Sequence, residues 1–316
     1  MKYIICRKAF SLLEILFVIV ILGIVASIGS NIIAQLYENY IIQKAMHSVS
    51  LKTELAINQI VNRLTYRIGN SVIARKADGT FIPLQDINYG VTNTDNAILE
   101  WIGYDYDSFA AQTSPGWSGY ANIAATAAPN ISTPGSELTF TSTVISNLSG
   151  GNPVLALLFS LGDQPDMSII NPNSRCFGYD GNTSCIHQVG IVNDTTLNTN
   201  RAALTASISD HYKLAWSAYA IVPVNANALY SDTRDGAVVA EGTPQSFDLE
   251  LRYNYQPWAG SQHANAMRST LIRNATSFKF SEQGGTIRIK LCATERVGNL
   301  NTSTNVSVCK EKVVIR

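Results

Sequence analysis

The sequence predicts an α+β protein in which one long N-terminal helix packs on a globular head dominated by antiparallel β-sheet. Three observations support this fold class. The run from Ile15 to Ala34 contains no charged residue, and a helical spacing of apolar residues then continues to Ile68 without a proline. Later segments alternate between apolar and polar residues, most clearly from Ser246 to Tyr255. Such alternation is typical of strands with one buried face.

The N-terminal helix is preceded by a short basic leader that contains Lys2, Arg7 and Lys8. Glu14 follows, and then come 20 uncharged, mostly apolar residues, which are enough to span a bilayer. A secretory signal peptide would have a shorter apolar region ending in a small-residue cleavage site. An uncleaved signal anchor would explain the length but not the order Phe10-Ser-Leu-Leu-Glu14. A charged side chain costs about 3 kcal/mol at the centre of a membrane helix on insertion scales, so Glu14, at the head of the apolar run, is predicted to have a functional partner.

This N-terminus closely resembles that of type IV prepilins and of the pseudopilins of type II secretion. The resemblance implies a leader of residues 1–9, cleavage by a prepilin peptidase between Ala9 and Phe10, and methylation of the new Phe10 amine. Glu14 then occupies the fifth mature position, at which the family has Glu. Ala9 replaces the Gly that usually precedes the cut. Asn31 stands where many pilins have a helix-kinking proline, so we predict no pilus-specific kink.

The predicted helix has two halves of different character. Residues 10–34 are apolar on every face, as lipid or a filament core requires. Residues 35–70 carry apolar side chains three and four apart, which predicts one face packed on a soluble domain. Gly69 and Asn70 provide a C-terminal stop, and a helix of nearly 60 residues would be roughly 85 Å long. The predicted organisation is therefore a leader (1–9), a membrane or filament-core half (10–34), an amphipathic half (35–70) and a β-rich head (71–316).

Within the head, several segments predict β-structure. Phe278 and Phe280, then Gly284-Gly285, then Ile287, Ile289 and Leu291 predict a hairpin. Residues 310–316 predict a further strand, and the alternation from Ser136 to Ser146 predicts another. We expect a short helix from Ala264 to Asn274. The apolar segment from Pro153 to Leu161 fits either a buried strand or a helix.

The cysteines predict disulfide bonds. Of the five cysteines, Cys6 lies in the leader, which leaves four in the processed chain. An even number in an exported domain favours disulfides. Three pairings are possible, and the short spacings favour Cys176–Cys185 and Cys292–Cys309. The alternatives are four free thiols or a zinc site, but neither a Cys-x-x-Cys motif nor a paired His spacing supports zinc.

The sequence contains no motif that identifies an enzyme. It has no His-Glu-x-x-His, phosphate-binding glycine loop, Gly-x-Ser-x-Gly elbow or dinucleotide fingerprint, although a dispersed Ser-His-Asp arrangement stays open. We therefore predict no enzymatic activity, no cofactor and no metal. The acidic pairs Asp105/Asp107, Asp163/Asp166 and Asp232/Asp235 favour solvated turns, with calcium as the weaker alternative. The basic residues are not clustered, so no nucleic-acid groove is predicted.

Six aromatic residues crowd the segment from residue 101 to residue 120, namely Trp101, Tyr104, Tyr106, Phe109, Trp117 and Tyr120. Trp and Tyr are enriched at interfaces, which would fit a binding surface. Core or half-buried loop packing is the more common explanation, and we expect it here.

The family resemblance implies a function in filament assembly rather than in catalysis. A head of nearly 250 residues resembles minor pilins or minor pseudopilins, and the pattern from Phe247 to Arg316 resembles the C-terminal half of J-type pseudopilins and W-type minor pilins. The implied location is the bacterial inner membrane with the head in the periplasm, and then a pilus or pseudopilus. The implied partners are the prepilin peptidase, other pilin subunits and the inner-membrane assembly platform. The alternative is an adhesin or ligand-binding module carried on a pilin stem.

Overall fold

A computed structural model of the chain describes residues 12–86, 97–111, 114–159, 175–199, 208–225, 246–297 and 304–315. These residues form an α+β fold, as predicted, with a long first helix and a head rich in antiparallel sheet. The α-helices of the described part are α1 (Leu12–Thr65), α2 (Tyr106–Phe109) and α3 (Leu138–Ser149). The 54 residues of α1 correspond to roughly 80 Å.

The described strands form two antiparallel sheets. They are β1 (Ile73–Arg75), β2 (Phe81–Pro83), β3 (Ile98–Gly103), β4 (Asn130–Ser132), β5 (Leu155–Phe159), β6 (His187–Asn193), β7 (Thr196–Thr199), β8 (Tyr212–Ala215), β9 (Ser217–Val224), β10 (Phe247–Tyr255), β11 (Met267–Gln283), β12 (Thr286–Val297) and β13 (Thr304–Val314). The larger sheet has the order β13-β12-β11-β10-β9-β3-β1-β2, and the smaller one has the order β4-β7-β6-β5-β8.

The C-terminal half of α1 packs on one face of the larger sheet. Its buried apolar side chains recur on one helical face and include Val49, Ile57, Ile60 and Leu64. Every second side chain of each strand faces α1 and completes this core, since successive side chains of a strand point to opposite faces. In β3, for example, the helix-facing residues are Leu99 and Trp101.

The other face of the larger sheet is also buried at β1, β3 and β9, which explains why β9 is apolar along most of its length. Ile98 and Ile102 of β3 contribute to this second core together with the ring of Trp258. A third core lies between α3 and the smaller sheet and contains Leu138 and Ile145. The larger sheet is therefore buried on both faces at β1, β3 and β9, whereas Arg288 and Lys290 of β12 are exposed on the face away from α1.

The prediction of a strand from Ser136 to Ser146 was wrong, because this segment forms α3. Its apolar residues also fit a helical period, and the side chains that become buried are those of Leu138, Thr141 and Ile145. The helix ends at Gly150, which has a φ of 70°, a conformation that glycine adopts readily. Over so short a segment, the alternation of apolar residues therefore did not distinguish a strand from a helix.

The predicted short helix from Ala264 to Asn274 was also wrong. A 3-10 turn at His263–Asn265 is followed directly by β11, whose residue Ile272 pairs with Leu249 of β10. Pairing with a long neighbouring strand outweighs the weak helical preference of the segment. The undecided segment from Pro153 to Leu161 contains the strand β5.

Three predictions about the C-terminal region are confirmed. The strand from Ser246 to Tyr255 is β10, and the strand predicted at residues 310–316 is the end of β13. The predicted hairpin consists of β11 and β12, which pair from Gln283 and Thr286 outwards. Gly284 and Gly285 form its two-residue turn with φ values of 58° and 77°, as hairpins with this loop length favour.

Candidate functional site

The N-terminal half of α1 presents apolar side chains on all sides. Every large hydrophobic side chain from Leu12 to Leu36 is between 50 and 83% exposed. Within the described residues, α1 is a helix whose length and composition would allow it to cross a membrane. On a protein in water, an exposed apolar surface of this extent marks a site of contact with a membrane or with another protein. Burying each of these side chains contributes about 1.5–3 kcal/mol to the stability of such a contact. We therefore expect lipid or other protein chains to surround this half of the helix.

Glu14 is the acidic residue in the first turn of α1, and its side chain is exposed. Among the described residues, Glu14 has no hydrogen-bond or ion-pair partner. The other residues of the predicted processing site, Ala9 and Phe10, lie outside the described residues. Their roles in cleavage and methylation, and the role of Glu14, stay predictions.

The second half of α1 is fixed to the head by ionic contacts as well as by apolar packing. The Glu54 Oε1 atom lies 2.7 Å from Lys312 Nζ, and its Oε2 atom lies 3.7 Å from Lys310 Nζ. The hydrogen bond from Lys312 lowers the pKa of Glu54. At the end of the helix, Arg67 Nη2 donates to the carbonyl oxygen of Gly285 at 2.8 Å. These contacts join α1 to β13 and the end of the helix to the turn between β11 and β12.

Both disulfides favoured by the spacings are present in the structure. Cys292 and Cys309 lie opposite each other in β12 and β13 and are bonded, so the bond joins the last two strands of the larger sheet. Cys176 is bonded to Cys185 and packs in the core on the sheet face away from α1. One bond therefore joins two neighbouring strands, and the other closes a short loop within a buried core.

A buried ionic network, which the sequence analysis missed, lies on the face of the sheet away from α1. Arg75 Nε donates to Glu100 Oε2 at 2.7 Å, and the Tyr255 hydroxyl donates to Glu100 Oε1 at 2.8 Å. Burial raises the pKa of Tyr255 well above its ordinary value. Glu100 is only 1% exposed, so its carboxylate lies in the core rather than at the surface. Only the isolated charge within the apolar segment of β3 could have signalled it.

The structure gives no support for a metal centre in the described part of the chain. There, no three His, Cys, Asp or Glu side chains come together. Asp105 is a buried helix cap that accepts hydrogen bonds from Ser108, and burial raises the pKa of its carboxyl. The pairs Asp163/Asp166 and Asp232/Asp235 lie outside the described residues.

The aromatic segment divides between the core and the surface. Trp101 and Trp117 are buried, as core packing requires, whereas Tyr106, Phe109 and Tyr120 are each more than a third exposed. The expectation of core or half-buried packing therefore fits the tryptophans better than the outer rings.

Comparison with known proteins adds one match, and it falls on the N-terminus. Residues 6–30 match the family model of the prokaryotic N-terminal methylation motif. No curated protein and no solved structure is significantly similar to this chain. The motif implies processing by a peptidase and assembly with other pilins, and with the exposed apolar helix it fits anchoring in a membrane. Motif and long helix together support a structural protein of the type IV pilin or pseudopilin type.

Proposed function

We propose that this chain is a minor pilin-like subunit that helps to prime or assemble a type IV pilus, a DNA-uptake pseudopilus or a type II secretion pseudopilus. The prepilin peptidase would cut between Ala9 and Phe10, and the Phe10 amine would be methylated. Until assembly, the subunit would be held in the inner membrane by residues 10–34, with its head in the periplasm. The assembly platform and other pilin subunits would then be its partners.

The observation that carries this proposal is the division of α1 into an uncovered half and a covered half. From Leu12 to Leu36 the helix offers apolar side chains in every direction, so any stable state must surround it with lipid or with other helices. From Ala45 onwards the same helix is packed on the head. Transfer from lipid to a bundle of similar helices would therefore leave the fold of the head unchanged.

The size of the head supports a minor rather than a major subunit. The region from residue 71 to the C-terminus holds 246 of the 316 residues, whereas subunits repeated hundreds of times in a filament usually have smaller heads. The presence of Glu14 favours a position with a neighbouring subunit above it. There the carboxylate would pair with the positive terminal amine of that neighbour.

The test is a pair of charge substitutions on α1, followed in the native host. Glu14→Leu should leave cleavage and methylation intact but impair incorporation into sheared filaments. Leaving one partner of a buried ion pair uncompensated costs about 3–5 kcal/mol. Glu38→Leu is the matched control, because Glu38 is also an exposed acid of α1 but lies about 36 Å further along the helix.

The measurements are mass spectrometry of the mature N-terminus and immunoblotting of the filament fraction. We expect N-methylated Phe10 in the parent and in both variants, and a reduced filament fraction for Glu14→Leu alone. Equal incorporation of Glu14→Leu and the parent would exclude the proposed role of Glu14. A mature chain that still begins at Met1 would exclude the whole processing scheme.

A further inference from the structure

A cleft of about 330 Å³ lies at the end of α1 that is distant from Glu14. Its walls come from the end of α1, the connection between β3 and α2, the end of α3, and the strands β9 and β10. This volume falls within the range of small-molecule sites, which are typically concave, largely apolar and furnished with a few polar groups. Five elements far apart in the chain therefore converge on one concave surface.

Aromatic rings form most of the cleft. The rings of Tyr66 and Tyr106 are stacked with centroids 4.1 Å apart, and Tyr104 meets Tyr66 edge-on at 5.7 Å. Tyr219 lies against Gly103, where an added Cβ would come within 2.6 Å of its ring. Glycine at residue 103 thus allows the Tyr219 ring to reach the cleft. The outermost ring, Tyr106, remains 38% exposed.

Polar groups of both charges surround these rings. Arg63 donates from Nη1 to the Tyr219 hydroxyl at 3.4 Å, and its guanidinium carbon lies 5.3 Å from the centre of that ring. Asp107 and Asn62 also line the cleft. Among the described residues, neither the Asp107 carboxylate nor the Asn62 amide has a hydrogen-bond partner. Burial raises the pKa of Tyr66 above its ordinary value, and a phenol is protonated at neutral pH even without this shift.

This combination of groups restricts the class of ligand. A purely apolar ligand would remove water from Asp107, Arg63 and Asn62 without replacing their hydrogen bonds. The Asp107 carboxylate and the Arg63 guanidinium carry opposite charges, so the cleft has no net attraction for either an anion or a cation. A sugar ring has C–H faces that can lie on aromatic rings and hydroxyl groups that both donate and accept hydrogen bonds. It would therefore satisfy the rings and the polar groups at the same time.

We propose that the cleft between the end of α1 and strands β9 and β10 binds a neutral saccharide. The proposal goes beyond a function in filament assembly, because Glu14 takes no part in it. Sugar C–H groups would contact the Tyr106 and Tyr66 rings, while sugar hydroxyls would donate to Asp107 and accept from Arg63 and Asn62.

The test uses the full chain in a polyoxyethylene detergent, because detergents with sugar headgroups would compete. Maltohexaose, cellohexaose and chitohexaose are the neutral probes, and a hexamer of galacturonic acid and a hexamer of glucosamine are the charged comparisons. Binding is measured by isothermal titration calorimetry. At least one neutral hexamer should bind, and more tightly than either charged hexamer.

Three variants locate the binding. Tyr106→Ala removes the outer ring and should weaken binding about tenfold. Tyr120→Ala is the matched control, because Tyr120 is similarly exposed at 43% but lies outside the cleft, and it should bind like the parent. Asn62→Ala provides an independent test of the cleft in case Tyr106→Ala fails to fold. Asn62 is exposed on α1, where alanine is well tolerated, and its loss should weaken binding about threefold to tenfold.

The alternative outcomes all oppose the proposal. No heat with any neutral hexamer at millimolar concentration would overturn it, as would a preference for a charged hexamer. Binding that survives both Tyr106→Ala and Asn62→Ala unchanged would place the saccharide elsewhere on the head.

Discussion

Replacing Glu100 by glutamine should strongly destabilise the head. Glu100 is 1% exposed and accepts hydrogen bonds from Arg75 at 2.7 Å and from Tyr255 at 2.8 Å. Glu100→Gln preserves the size of the side chain but leaves the Arg75 guanidinium uncompensated in the core. Breaking a buried ion pair in this way costs about 3–5 kcal/mol. That is a large fraction of a typical free energy of unfolding of about 5–15 kcal/mol.

The assay is urea unfolding of the full chain in detergent, followed by tryptophan fluorescence. Glu295→Gln is the matched control, since it breaks the contact between Glu295 and Lys52, whose side chains are 33 and 60% exposed. Exposed pairs of this kind contribute about 0.2–1 kcal/mol. We therefore expect Glu100→Gln to lower the free energy of unfolding several times more than Glu295→Gln does.

One result would refute the reasoning about the buried pair. If Glu100→Gln changed the free energy of unfolding by no more than about 1 kcal/mol, the pair would behave like an exposed one. The double variant Arg75→Met with Glu100→Gln provides a further check. Because it removes both charges, it should be more stable than Glu100→Gln alone.

Two further predictions concern the surroundings of this network. Burial lowers the pKa of His263 below its ordinary value of 6.5, so the unfolded chain binds an extra proton as the pH falls through that value. The free energy of unfolding should then decrease, and His263→Gln should flatten this dependence in urea titrations from pH 7.5 to 5.5; an unchanged slope would contradict it. Gly178→Ala should destabilise by about 1–3 kcal/mol from overpacking, because its Cβ would lie 2.6 Å from backbone atoms of Pro257 and Trp258. Gly181→Ala shares the positive φ but has nothing within 4 Å, so equal melting temperatures of the two variants would exclude the steric explanation.

The features that the sequence predicted well depend on nearby residues. The order Phe10-Ser-Leu-Leu-Glu14 lies within five residues, and the apolar run that follows determines the character of α1 without any tertiary contact. The hairpin of β11 and β12 depends on the turn at Gly284-Gly285 between two alternating segments. In such cases the signal and the structure occupy the same stretch of chain.

The features that it could not predict depend on distant residues. No residue near Glu100 in the sequence indicates that it pairs with Arg75, which is 25 residues away. The cleft combines Tyr66 from α1 with Tyr219 from β9 and Tyr253 from β10, and no local pattern links these residues. The prediction of a strand at α3 failed for a different reason. The few apolar residues of this segment fit both the strand period and the helix period, and only packing against the smaller sheet decides between them.

The length of α1 separates the two proposed activities physically. Glu14 and Arg63 stand 49 residues apart on one continuous helix, which corresponds to roughly 74 Å. A charge change at Glu14 therefore lies far beyond the Debye length of about 8 Å at physiological ionic strength, and no described contact of the head involves the N-terminal half of α1. Glu14→Leu should leave saccharide binding unchanged, and Tyr106→Ala should leave incorporation into filaments unchanged. If either substitution altered both readouts, the helix would couple assembly to the cleft rather than separate them.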